Sequence, residues 1–280
     1  MNLAVIGLGL IGGSAALDLK RAGFAGSIMG VGNKPATIAE ALRLGLADRV
    51  TSLEEAVDAA DLVILAVPVD VAITMLPRVL DRVKDHQTVT DMCSTKRTLM
   101  ACVEGHPRRA RFVGSHPMAG TEYAGPAAAL EGLFRDKIGI LCDTEKSAPD
   151  AVARVEAMYG VLGMKLVRMD AARHDLHTAY VSHLSHVVSY ALALTVLDKE
   201  RDERQIFNLA GGGFASTARL AKSGAAMWAP IFLNNADHVL EALDAYREHL
   251  TALREAIARA DGPELDRLIG RANDIRRILG

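Results

Sequence analysis

The chain has 280 residues, half of them apolar, enough to bury a substantial core in one large or two ordinary domains, which excludes a disordered protein. Its 32 basic and 34 acidic side chains leave a formal charge of −2, so there is no electrostatic footprint for nucleic acid or an anionic membrane, and a small-molecule partner is the default. Three cysteines, Cys93, Cys102 and Cys142, are an odd number without metal-type spacing, which argues against a disulfide framework or zinc site and for a reducing compartment.

The apolar opening LAVIGLGLIGGSAAL does not read as a secretory leader, because no Lys or Arg precedes it and four glycines interrupt it. No run approaches the eighteen or so apolar residues of a membrane span, so the chain is expected to be soluble and cytoplasmic. Residues 2–6 read as an apolar strand and 10–21 as a helix, with Gly7, Gly9 and Gly12 in GxGxxG spacing between them. In that setting the first glycine permits a tight turn, the second lets a pyrophosphate approach the backbone and the third lets the helix pack on the strand. The helix N-terminus adds free N–H groups for the phosphates. Gly7, Leu8, Gly9, Leu10, Ile11 and Gly12 are therefore the candidate dinucleotide contacts.

The second strand, 27–31, runs into Gly32, Asn33 and Lys34, about where an acidic residue would hold the ribose hydroxyls of NAD. No carboxylate stands there to repel a 2′-phosphate, and Asn33 and Lys34 offer donors to one, so NADP is expected in preference to NAD. The plainer alternative is a polar turn before Pro35 that leaves NAD adequately bound.

A helix is expected over 35–44, a short strand over 47–50 and a capping box from Ser52 to Glu55. The run DLVILAVP, 61–68, reads as a central parallel strand covered on both faces and ended by Pro68, with Val67 and Pro68 at its ligand edge. Residues 70–84 are helical in pattern, and Pro77 is expected to break them or split them in two. A fifth strand over 87–91 leads into CSTK, where Ser94 either caps a helix starting near Thr95 or faces a ligand beyond the strand end. A strand over 111–114 precedes GSHPMAGTE. A short helix, a strand over 137–142, a helix over 149–162 and a strand over 165–168 follow. Beyond Met169 only helical patterns remain, one long and others near 214–221, 228–260 and 263–279, which places a domain boundary near residue 168.

His116 is the first candidate for chemistry. Pro117 and Gly120 are expected to hold it on a loop at a strand end, and an imidazole exchanges a proton near neutral pH without a large shift. A histidine that only satisfies a turn is the alternative. His174, His177, His183 and His186 invite a metal, but at about 100° per residue the first two face away from the second two, so no metal is expected. In GGGFASTARLAKSGAAMW, Arg219 is either solvated beside an interhelical loop or offers a planar fork to a carboxylate.

The motifs GLGLIGGS, VILAVP, DMCSTK, GSHPMAGTE, HDLHTAYVSHLSHVV, and GGGF followed by Arg219, AKSG and Trp228, in this order, resemble the prephenate/arogenate dehydrogenase family of tyrosine biosynthesis over essentially the whole chain. The resemblance implies an α/β Rossmann domain with a mainly parallel, doubly wound sheet over 1–168 and an all-α substrate and dimerisation domain over 169–280. It also implies a homodimer and NAD(P)-dependent oxidative decarboxylation of prephenate or arogenate. By the same resemblance His116 is the catalytic histidine bonded to the ring hydroxyl and Ser94 the serine that orients both. Arg219 grips a substrate carboxylate, and Glu122, His183 and His186 line the pocket. Ser216 stands where members often carry an aspartate, so an ionic contact built on that aspartate is absent. The chain's end at Gly280 leaves no room for the tyrosine-sensing domain of some members, so any tyrosine inhibition is expected to be competitive. Two other classes compete. One is a β-hydroxyacid-type dehydrogenase, for which Lys222 would be the catalytic lysine and SHPMAGTE goes unexplained; the other is an NAD(P)-sensing protein without turnover.

Overall fold

The structure, a computed structural model, describes residues 1–203 and 205–279. In chain order it builds β1 (Asn2–Ile6), α1 (Leu10–Arg21), β2 (Ser27–Val31), α2 (Pro35–Arg43), β3 (Arg49–Val50), α3 (Leu53–Ala59), β4 (Leu62–Leu65), α4 (Val69–Arg82), β5 (Thr88–Asp91) and α5 (Arg97–Ala101). Next come β6 (Phe112–Pro117), β7 (Ile138–Cys142), α6 (Pro149–Val161) and β8 (Lys165–Met169). The helices α7 (Ala171–Thr178), α8 (Leu184–Glu200), α9 (Gly212–Ala218), α10 (Ala225–Asn234), α11 (Ala236–Ala258), α12 (Gly262–Ala272) and α13 (Arg276–Leu279) complete it.

All eight strands join one sheet in the order β3-β2-β1-β4-β5-β6-β7-β8, parallel throughout except between β6 and β7. Alternate residues face opposite sides. Leu3 and Val5 of β1 therefore pack with Ala15, Ala16 and Leu19 of α1 and Val155 and Met158 of α6, while Ala4 and Ile6 pack with Ala56, Val57, Leu76 and Leu80 of α3 and α4. Helices on both faces explain why Leu62–Leu65 is apolar at every position. The chain leaves β1 for β2 and β3 on one side, then places β4 on the other. That reversal opens a crevice beyond the carboxyl ends of β1 and β4.

Three local expectations need correction. Pro77 does not break its helix: α4 runs through it from Val69 to Arg82. Proline lacks the N–H that would bond the Ile73 carbonyl, but the Cys102 thiol, shared with Leu99 O, lies 3.6 Å from that carbonyl as a substitute donor. His116 is not on a loop. β6 extends through His116 and Pro117, which pair antiparallel with Ile140 and Gly139. Met118 N donates to Ile138 O at 2.8 Å, and the alternation of an antiparallel pair then puts the Pro117 nitrogen where no donor is needed.

The third correction concerns the long helix. Ala171–Glu200 is helical for 30 residues but passes through a π segment, Ala179–His183, between α7 and α8. By length and composition it is apolar enough to cross a membrane, although His, Ser and Tyr punctuate it so that it holds no uninterrupted apolar run of that length. Val181, Leu194 and Leu197 are exposed on it.

Compactness divides the chain into Met1–Asn235 and Ala236–Gly280 rather than at the end of the sheet. Helix α7 belongs with the strands because Asp175 bonds the backbone at the start of α5. In the second unit α11 packs on α12, and Leu240, Leu250, Ile257 and Ile269 are exposed.

Candidate active site

At the crevice, Gly7 adopts φ +99° and turns the chain out of β1. A Cβ there would lie 2.4 Å from Ala66 O, and one on Gly12 would lie 2.0 Å from Gly7 O. These two glycines are demanded by the fold, the first by a left-handed backbone and the second by helix-on-strand contact. Gly9 is different, because nothing lies within 4 Å of its Cβ position. The protein itself gives no reason for its bareness, whereas a pyrophosphate lying against the backbone would. Gly9 is also the N-cap of α1, with no side chain capping the free N–H groups and no acidic residue in the first turn. That end of the helix is left open to an anion.

Leu8 and Leu10 are buried and Ile11 half-buried, so this turn offers mainly backbone to a ligand. Gly7 N donates to Val31 O at 3.1 Å, which keeps the end of β2 beside it. Gly32, Asn33 and Lys34 are exposed there, and Val67 and exposed Pro68 stand across the crevice after β4. The residues fit a dinucleotide.

The carboxyl ends of β5 and β6 lie on the same edge of the sheet. Buried Asp91 closes β5, and its carboxylate accepts from Cys93 N and Ser115 N, each at 2.9 Å, and from the Lys96 ammonium. Lys96 is fully buried; burial works against its charge, but Asp91, together with Cys93, outweighs that and its pKa is raised. The Ser115 hydroxyl lies 2.5 Å from Asp91 O, 2.9 Å from Thr90 Oγ1 and 2.8 Å from Tyr159 OH. This dry network fixes β6 against β5 immediately before His116.

Ser94 is half-buried in the loop after β5 and does not cap a helix, since Lys96 is the N-cap of α5. Capping comes from α7 instead: the two Asp175 oxygens accept from Lys96 N at 2.7 Å and Arg97 N at 2.8 Å. Among the described residues Ser94 makes no hydrogen bond to His116.

The His116 ring meets another histidine. Its Nδ1 lies 2.9 Å from His174 Nε2, and His174 Nδ1 lies 2.8 Å from Asp175 Oδ1. His174 and Asp175 are fully buried, and His116 is 8 % exposed. Burial above all, then the neighbouring His174, Lys96 and His183, hold the His116 pKa well below the usual histidine value. Burial also lowers that of His174, although Asp175 opposes it. Both rings are neutral near pH 7.

Asn235 Nδ2 donates to Asp175 O at 2.7 Å and lies 3.2 Å from His183 Nδ1, which therefore accepts and leaves the His183 proton on Nε2. Burial lowers the His183 pKa to about 4. His186 donates from Nδ1 to Ser182 O at 3.0 Å, and its ring stacks on Trp228 at 3.4 Å. The His183 Nε2 and Trp228 Nε1 atoms are buried without a hydrogen-bond partner among the described residues. Arg219, in the turn after α9, reaches Glu122 at 3.0 Å from half-exposed surroundings. The Glu122 pKa is lowered by its own backbone N–H and by Arg219. Among the described residues Ser216 bonds only back to Gly213 O within its helix.

The structure thus brings His116 into one buried network with His183, and Arg219 together with Glu122. His177 is exposed. The sequence alone does not single out Asp91, Lys96, Asp175 and Asn235, and it offers His174 only as a metal ligand. Counting 100° per residue sets His174 opposite His183, but each residue of the intervening π segment turns through less, and Asn235 joins the two faces. The adjacent His-Asp pair in HDLHT, both buried on a short helix, is the available signal.

Comparison of sequence and structure shows the family of the chain. The model of a family described as "Prephenate dehydrogenase, nucleotide-binding domain" matches residues 15–168, and that of "Prephenate dehydrogenase, dimerization domain" matches 170–271. The prephenate dehydrogenase of Bacillus subtilis is 33% identical over 278 residues, 98% of this chain and 75% of that protein. A crystal structure of prephenate dehydrogenase from A. aeolicus in complex with hydroxyphenyl propionate and NAD+ is 33% identical with a TM-score of 0.90, covering 100% of this chain and 98% of the other. Synechocystis arogenate dehydrogenase is 30% identical with a TM-score of 0.77, covering 100% of both chains.

Proposed function

Because the chain belongs to the prephenate dehydrogenase family, we propose that it catalyses the NAD(P)-dependent oxidative decarboxylation of prephenate or arogenate, with His116 as the base. The observation that carries this reading is His116 itself, a buried, neutral imidazole on the same sheet edge as the glycine turn. When bound, the oxidised nicotinamide accepts the hydride that leaves the carbinol carbon. His116 takes the hydroxyl proton as the carbonyl forms. The ring carboxylate then departs as carbon dioxide, its bonding pair aromatises the ring, and His116 returns the proton to the phenolate oxygen. Aromatisation makes the step effectively irreversible.

Arg219, shared with Glu122, holds a substrate carboxylate with two parallel N–H···O bonds. The unpartnered N–H groups of His183 and Trp228 are further donors for an anionic substrate, with His186 as wall. Ser94 serves the substrate hydroxyl and the cofactor from the loop after β5. Gly7 to Gly12 take the pyrophosphate, with Val67 and Pro68 opposite.

The missing carboxylate at Gly32 and the exposed donors Asn33 and Lys34 favour NADP over NAD. Residues 1–168 serve the cofactor and 169–280 the substrate and a homodimer contact, which the exposed Val181, Leu194 and Leu197 in one unit and Leu240 and Ile257 in the other support. The free thiols fit a cytoplasmic enzyme. Purified protein given prephenate and arogenate, each with NAD and with NADP, tests the reading through formation of reduced nicotinamide. Higher kcat/KM with NADP is expected. A clear preference for NAD overturns the cofactor assignment, and no turnover with either acid overturns the activity.

A further inference from the structure

We propose that the buried pair His174 and Asp175 are positioning residues for the reaction, locking His116 in the tautomer whose Nε2 is free to take the substrate's proton. This rests on His116 being the base, as proposed above. The chain of donors runs one way only. Both Asp175 oxygens accept backbone N–H groups from the start of α5; burial works against its charge, but His174 above all, and then those two bonds, hold its carboxyl below the usual range. An ionised carboxylate only accepts, so the His174 proton sits on Nδ1 and its Nε2 carries a lone pair. That lone pair faces His116 Nδ1 at 2.9 Å, so the His116 nitrogen is the donor. Neutral His116 then has its own lone pair on Nε2.

The opposite tautomer is excluded by the same distance. It would set two lone pairs against each other inside a site where His174 and Asp175 are fully buried and water is not at hand to relieve them. Neither residue touches the reacting atoms. When His116 Nε2 takes the hydroxyl proton, the new cation donates from Nδ1 to His174, with the Asp175 carboxylate behind it, and no proton moves further along the line. Burial, then His174, Lys96 after β5 and His183 of the π segment, oppose a cation on His116, while Asp175 and Asp91 favour charge on the neighbouring His174, and Asp91 pairs with Lys96. Asp175 also ties this line to the loop that carries Ser94, so base and loop are set by one carboxylate.

The test uses full-length His174→Leu, which removes the acceptor, and His174→Gln, whose amide oxygen can still accept from His116 Nδ1. Turnover, substrate KM, cofactor Kd and the nitrogen-15 shifts of labelled histidine rings are read together, with His116→Asn identifying the His116 signals by their loss. The wild-type ring is expected to carry its proton on Nδ1. His174→Leu should lower kcat about ten- to thousandfold with KM and cofactor Kd within about threefold, move the His116 signals toward the Nε2–H form and shift the acid limb of the kcat/KM profile. His174→Gln should regain most of the loss. Wild-type kcat and an unmoved pH profile in His174→Leu, or an Nε2–H ring in the wild-type protein, overturn the proposal. If His174→Leu does not fold, the wild-type ring spectrum and His174→Gln still decide it. Normal turnover in His116→Asn refutes the base assignment instead, and the ring spectrum distinguishes that failure from this one.

Discussion

The crevice at the ends of β1 and β4 and the histidine cluster at the ends of β5 and β6 share one edge of one sheet, yet they are built differently. The crevice offers mainly the backbone of a short glycine turn and the ends of two strands, with the Gly9 Cβ position open and Gly32, Asn33 and Lys34 exposed. The cluster is made of side chains from β6, α7, the π segment and the residue after α10, buried and bonded to one another. A site that a ligand completes keeps its backbone groups free. A site that moves a proton needs fixed donors and acceptors before the substrate arrives. Substitutions in the first should therefore change binding, and those in the second turnover.

The largest expected effect follows directly. His116→Asn should lower kcat about two to four orders of magnitude while cofactor Kd, read by fluorescence titration, stays put. Near-normal turnover would erase the distinction between the two regions. Arg219→Gln should chiefly raise substrate KM, about ten- to hundredfold, because a carboxylate loses a bidentate partner; an unchanged KM returns Arg219 to pairing with Glu122 alone.

Within the crevice the glycines should separate. Gly12→Ala would push a Cβ to 2.0 Å from Gly7 O and should lower Tm by several degrees, whereas Gly9→Ala meets nothing and should leave Tm alone while weakening the cofactor. Equal Tm losses in both would show that the Gly9 space serves the fold.

The smallest effect is on stability against pH. Burial holds the His116, His174 and His183 pKa values below the ordinary 6.5, that of His183 at about 4. The unfolded chain binds these protons first, so the stability they contribute is full above about 6.5 and is lost as pH falls toward about 4. Tm should decline across that window. A flat Tm there would mean that the cluster is not buried neutral.

What was legible in the sequence was local. The strand over 2–6, the helix over 10–21 and the Ser52 cap, which accepts from Glu55 N at 3.1 Å, each depend on residues a few positions apart. Pro77 reads as a helix breaker because the group that compensates it, Cys102, lies on another element. The sequence alone places His116 on a loop, because only the register with β7 shows that Pro117 needs no donor. The His174 contact spans 58 residues and the Asp175 cap 78, and the π segment that brings His183 round has no mark in the hydrophobic pattern.

On the proposed function, oxidation and loss of carboxylate occur together at His116. Counting carbon dioxide released against nicotinamide reduced, with prephenate or arogenate as substrate, tests it most directly. One carbon dioxide per reduced nicotinamide is predicted, with both rates lost in parallel in His116→Asn. Reduced nicotinamide without carbon dioxide, or cofactor binding without reduction, would contradict it.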